Sequence, residues 1–165
     1  MVLFSEKQPL HNNPIVWISL IALFVPSILA FNESTFIEGF DEMKPFVTIL
    51  FVDCLVFLLI FSSKLNVEIN QEEIHYRWFP FHFKTQHILW KNVLSAEVRK
   101  YNALREYGGW GIKGWTAQNR AYNVDGNIGL QLVLRNGKKV LIGTKQSKKL
   151  EALLFDLKIP KPEHG

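Results

Sequence analysis

The stretch KLNVEINQEEIHYRW, Lys64 to Trp78, is where the chain changes character, and its reading decides the fold. Leu65, Val67 and Ile69 alternate with Asn66, Glu68 and Asn70, and Ile74, Tyr76 and Trp78 alternate with His75 and Arg77. A period of two gives a strand one apolar and one polar face. Asn70-Gln71-Glu72 between the runs is a turn signal, so the spacing predicts a β-hairpin. Pro80 ends it.

Upstream the text is continuous rather than alternating. IVWISLIALFVPSILAF, Ile15 to Phe31, holds no charge, and FVTILFVDCLVFLLIF, Phe46 to Phe61, holds only Asp53. Each run is near the lower end of the roughly 17–25 residues a helix needs to cross a bilayer. The expectation is a transmembrane helical hairpin over residues 1–63, with helices at about 15–31 and 46–62. Pro26 is acceptable in such a helix. The first run does not read as a cleaved signal, because its n-region is long, sets Lys7 against Glu6, and no small-x-small site precedes Asn32.

Charge sets the expected orientation. The loop between the runs carries Glu33, Glu38, Asp41 and Glu42 against Lys44, while 17 of the 19 Lys and Arg and nine of the 15 acids follow Ser63, a net +8. The positive-inside rule then places both termini in the cytoplasm and makes the chain a multi-pass protein of the cell (inner) membrane. Asp53 lies near the middle of the second run, where an ionisable group needs a partner. Ser19 and Ser27 of the first helix, or Asp53 of another subunit, are the candidates. The lone Cys54 excludes an intramolecular disulfide and reads as a small buried hydrophobe.

Downstream, strands continue. Phe83 to Leu89 reads as a third strand and Leu94, Ala96 and Val98 mark a fourth. Arg120 to Val124 is a short one. Leu130, Leu132 and Leu134 lead to Asn136-Gly137, the strongest short hairpin signal, with a return strand from Lys139 to Gly143. Ser147 can cap a helix over about 147–158, whose Leu150, Leu153, Leu154 and Leu157 recur at i, i+3, i+4, i+7. Residues 64–165 are thus expected to form one mainly β domain closed by a single C-terminal helix.

That order resembles a pleckstrin-homology-like (PH-like) barrel. The text itself resembles a group of uncharacterised bacterial membrane proteins that carry a PH-like domain after a two-helix anchor. The resemblance is carried by Glu72 through Pro80 (EEIHYRWFP), Trp90-Lys91-Asn92-Val93, Arg105 through Ile112 (REYGGWGI), Ala121-Tyr122-Asn123-Val124, and Gly137 through Thr144. It implies architecture, and by analogy a non-catalytic role.

Chemistry is sparse. GGWGIKG is not a phosphate loop, and the five histidines form no HExxH, Cys-His or Ser-His-Asp pattern; His82 and His87 are five apart in a strand region. No enzyme, cofactor or metal is expected. Tyr107, Trp110, Lys113, Trp115, Arg120 and Tyr122 interleave aromatic and basic residues with glycines. They are the candidate surface for anionic lipid headgroups or a membrane protein partner, with core packing as the plainer alternative. Homo-oligomers are compatible with this. Nucleic acid is not expected, because the basic residues are scattered and an anionic leaflet accounts for the charge. The competing reading is a subunit of a membrane enzyme or transport complex that uses Asp53.

Overall fold

The computed structural model describes residues 1–33, 40–116 and 118–162, and within them the side chains of all but 30–33, 40–43, 45 and 115. The chain divides into two compact units, Leu10–Ser63 and a discontinuous one made of Met1–Pro9 with Lys64–Gly165.

The discontinuous unit begins with a strand that hydropathy does not reveal. β1 (Val2–Pro9) pairs antiparallel with β2 (Lys64–Asn70), so the first and second strands of one sheet are separated in sequence by the whole helical unit. Its inward residues are Phe4, Glu6 and Gln8. Two of the three are polar, which erases the alternation expected of a half-buried strand. Both are tied to distant residues: Thr144 Oγ1 and the Lys145 amide donate to the Glu6 carboxyl, and Gln8 Nε2 donates to the Gly143 carbonyl, while Gln8 Oε1 is buried without a hydrogen-bond partner.

β2 and β3 (Glu73–Phe79) form the hairpin read from the sequence, with Leu65 opposite Trp78 and Val67 opposite Tyr76. The Asn70 side chain accepts from the Glu72 and Glu73 amides and closes the turn. Their apolar faces are almost fully buried, Leu65, Ile69 and Ile74 completely and Trp78 to 1% exposure. Each such side chain contributes about 1.5–3 kcal/mol. β4 (Gln86–Leu89) completes the order β1-β2-β3-β4. It is shorter than the Phe83–Leu89 run, because residues 80–85 are a loop.

The second sheet has the order β5-β8-β9-β7-β6, built from β5 (Val93–Lys100), β6 (Gly111–Thr116), β7 (Asn119–Asn123), β8 (Ile128–Leu134) and β9 (Lys139–Gly143). A register shift in β5 between Val93 and Ser95 buries Val93 and turns Leu94 outward, against the simple alternation. The Asn136-Gly137 turn joins β8 to β9 with Gly137 at φ 81°, a conformation glycine adopts without penalty. β7 pairs with β9 in parallel, and β6 and β7 add a hairpin at that edge. Helix α3 (Ala103–Tyr107), capped by Asn102 and ended by left-handed Gly108, was not expected from the sequence. Helix α4 (Ser147–Asp156) buries Leu150 and Leu154. Its Ser147 is the first helical residue rather than the cap.

The helical unit holds α1 (Pro14–Glu33) and α2 (Phe40–Ser62), with the Asn13 side chain accepting from the Ile15 amide at the start of α1. Ser27 Oγ donates to the Asp53 carboxyl, and both residues are 3% exposed. Ser19 does not join them; its hydroxyl donates to the Ile15 carbonyl of its own helix, as Thr48 does to Lys44. Cys54 is exposed, not buried.

These findings correct the expected fold class. Among the described residues no helix is long and apolar enough to cross a membrane. The transmembrane hairpin is therefore not supported, nor is the multi-pass inner-membrane location drawn from it. The acidic residues Glu33, Glu38, Asp41 and Glu42 used for orientation lie outside the residues described here with side chains. A mainly β PH-like barrel with one helix is also replaced. Among the described residues the strands form two sheets of four and five, one containing a parallel pair, and there are four α-helices, an α/β composition.

Candidate functional site

The six residues singled out in the sequence do not form one exposed surface. Tyr107 and Tyr122 are buried, at 3% and 9% exposure, and Trp110 packs against a cluster of Tyr101, Ala103, Tyr107, Ala121 and Leu141. Trp110 Nε1 donates to the Gly126 carbonyl. Lys113 and Arg120 are exposed on β6 and β7, and the Trp115 side chain lies outside the described residues. Tyr107 belongs to a closed polar network. Its hydroxyl donates to Gln131 Oε1, and Arg99 donates to the same oxygen, to Glu106 Oε2 at 2.6 Å and to Tyr107 itself. The Arg99 guanidinium holds the Glu106 carboxyl below its ordinary range.

An aromatic and basic surface does exist, elsewhere. In the sequence FPFHFK, Phe79 to Lys84, the chain leaves β3, turns through a cis Phe79-Pro80 bond and exposes three phenyl rings. Phe79 is 37%, Phe81 52% and Phe83 91% exposed. The Lys64 ammonium, first in β2 and paired with Phe79 in register, lies 5.9 Å from the Phe79 ring, and the Arg77 guanidinium lies 5.7 Å from it. Lys84 follows Phe83 and is exposed.

His82 explains why the rings point outward. Its amide donates to the Trp78 carbonyl at 2.7 Å, its carbonyl accepts from Arg77 Nε, and its Nδ1 accepts from the Trp78 amide at 3.3 Å. The imidazole turns inward onto Tyr76 and Tyr122, with centroids 6.3 and 5.5 Å away. Burial holds its pKa below the ordinary histidine value, so the neutral ring is the one that fits. With His82 inward, Phe81 and Phe83 on either side face out. Tyr122, one of the predicted residues, thus touches this loop as its support.

A second grouping lies on the outer face of the first sheet. His75 and His87 are register partners across β3 and β4, and Glu73 stands two residues before His75 on the same face. Glu73 Oε1 is 2.8 Å from His75 Nε2 and Oε2 is 3.1 Å from His87 Nδ1. The two imidazoles hold the Glu73 carboxyl below its usual range. Beside them is a cavity of about 220 Å³ lined by Asn66, Glu68, His75, Tyr76, Arg77 and Thr85. The sequence reading weighed His82 with His87 and missed this pair. The hairpin register, with His75 opposite His87, was the signal available.

In the helical unit the described residues expose an apolar face that includes Ile18, Ile21, Ile28, Phe51 and Leu58.

The fold and the loop define a two-sheet α/β unit with a braced aromatic and basic projection. No protein-family model matches the chain, and no curated protein matches it. The resemblance to bacterial PH-like membrane proteins therefore confers no family membership.

Proposed function

We propose that the protein is a non-catalytic binding module whose two-sheet unit docks on an anionic lipid surface through Phe81, Phe83, Lys84 and the Lys64/Arg77/Phe79 cluster. The observation that carries this reading is the exposure of three phenyl rings at a loop braced from within by His82, with Lys84 on the loop and Lys64 and Arg77 on the adjoining strands. Exposed aromatic rings gain by entering an interfacial layer, at about 1.5–3 kcal/mol for a fully buried side chain. Each nearby cation adds roughly 1 kcal/mol of attraction to an anionic leaflet. The loop is a projection rather than a groove, which suits a continuous lipid layer better than a peptide. The net +8 after Ser63 adds a favourable background.

Vesicle co-sedimentation of the full chain tests this. Phe81→Ser/Phe83→Ser/Lys84→Glu should weaken binding to vesicles rich in phosphatidylserine by at least tenfold, and raised salt should weaken the wild type. Because the helical unit is identical in both proteins, the difference isolates the loop. Equal binding by the two proteins would defeat the reading.

Assembly through the helical unit is a second reading, favoured by its outward Ile18, Ile21 and Leu58. Ile18→Lys/Leu58→Lys should then abolish cross-linked species that the loop variant retains.

A further inference from the structure

We propose that Glu73, His75 and His87 bind one divalent first-row transition-metal ion on the outer face of the first sheet. The three residues each offer a ligand atom, and these atoms lie within 4.8 Å of one another. Ligand distances of about 2.0–2.2 Å put neighbouring ligand atoms near 3.4 Å apart in a tetrahedral site. The observed 2.8 and 3.1 Å separations of Glu73 from the two rings need only small side-chain movements to reach that spacing. Two imidazoles with one carboxylate is a set that suits zinc, cobalt or iron(II), and it leaves positions open for water or a further ligand.

A plain Glu–His hydrogen-bonded cluster explains part of this geometry but not all of it. His75 Nε2 is buried and, although close to Glu73, is not aligned for a hydrogen bond with it or with any other group. The Asn66 side-chain oxygen, lining the cavity beside His75, is likewise buried without a hydrogen-bond partner. Two unpartnered polar atoms at one small cavity are costly unless something fills the gap. Glu68, the register partner of His75 on β2, adds a second carboxylate to the cavity wall. Arg77 is the opposing charge there, and its side chain is engaged by the Phe79 ring and the His82 carbonyl.

The placement has a mechanical consequence. β4 is a four-residue strand at the end of its sheet, held by β3 alone. A bound ion would cross-link the two strands that flank the 80–85 loop. This inference does not depend on what the loop docks against.

The test uses the untagged full chain, freed of metal by a chelator and titrated with Co²⁺. One equivalent should bind with the intense visible absorption of a four- or five-coordinate site. His87→Ala, on an exposed edge position, and His75→Ala should each weaken binding at least tenfold, while His11→Ala should leave it unchanged. Zn²⁺ should raise the unfolding midpoint of the wild type and not that of His87→Ala. The proposal is overturned if folded His87→Ala keeps the wild-type spectrum and affinity, or if Co²⁺ shows only its hexa-aqua spectrum at millimolar concentration.

Discussion

Replacing Glu6 by alanine tests the least obvious part of the architecture, the membership of residues 2–9 in the two-sheet unit. Glu6 is 6% exposed, and its carboxyl accepts from Thr144 Oγ1 at 2.6 Å and from the Lys145 amide at 2.8 Å. It thereby ties β1 to the turn that starts α4. Truncation leaves the Thr144 hydroxyl, in a residue 6% exposed, and the Lys145 amide without their acceptor. An abandoned buried donor costs roughly 1–3 kcal/mol, and the Lys145 amide is only partly buried, so about 3 kcal/mol is expected in total. With a urea dependence near 2 kcal/mol/M, the unfolding midpoint should fall by about 1.5 M. The exposed neighbour Ser5→Ala should change stability by no more than about 0.5 kcal/mol. Amide exchange should accelerate in β1, β2 and residues 144–150 of the Glu6→Ala protein. If Glu6→Ala matches Ser5→Ala in both measurements, the seating of β1 described above is wrong.

Three further perturbations follow from the geometry. Gly114 has φ 138°, and an added Cβ would lie 2.0 Å from the Asn119 carbonyl oxygen, so Gly114→Ala should cost about 3 kcal/mol or more and disrupt the β6–β7 hairpin, as read by urea unfolding. Ser27→Ala leaves the Asp53 carboxyl without its hydroxyl donor in a buried setting and should destabilise the helical unit by about 1–3 kcal/mol, seen as faster amide exchange in α1 and α2. His82 has its folded-state pKa depressed by burial, so the unfolded chain binds the extra proton first. Its contribution to stability is present above the unfolded value of about 6.5 and is lost as pH falls through the folded value. His82→Asn should flatten that part of the stability–pH profile, while a profile identical to the wild type would remove His82 from the bracing of the loop.

Much of the β architecture was legible because burial follows a period of two. The Lys64–Trp78 hairpin announces itself in this way, the Asn136-Gly137 turn by its dipeptide, and α4 by the helical spacing of Leu150 and Leu154. β1 did not, because its inward Glu6 and Gln8 hydrogen-bond to residues more than 130 positions away, which no local pattern can show. The bulge in β5 was hidden for a similar reason, since tertiary packing chose the register, whereas the short α3 was missed although its caps, Asn102 and Gly108, are local. The apolar runs gave the helices but not their setting, for continuous hydrophobicity specifies burial without naming what covers it. As for the site, interleaved Tyr107, Trp110 and Tyr122 looked like a surface because composition cannot separate a core ring from an exposed one. Three exposed rings are in FPFHFK, where His82 takes the inward position that a reading by hydropathy would give to phenylalanine.

The central claim is that the Phe79–Lys84 loop enters an anionic lipid surface, and one measurement addresses it directly. In a Cys54→Ser background, Phe83→Cys carries an environment-sensitive fluorophore at the most exposed of the three ring positions. On vesicles containing phosphatidylserine its emission should shift to the blue, and on pure phosphatidylcholine it should shift far less. Emission that stays at the aqueous value on both would contradict the claim.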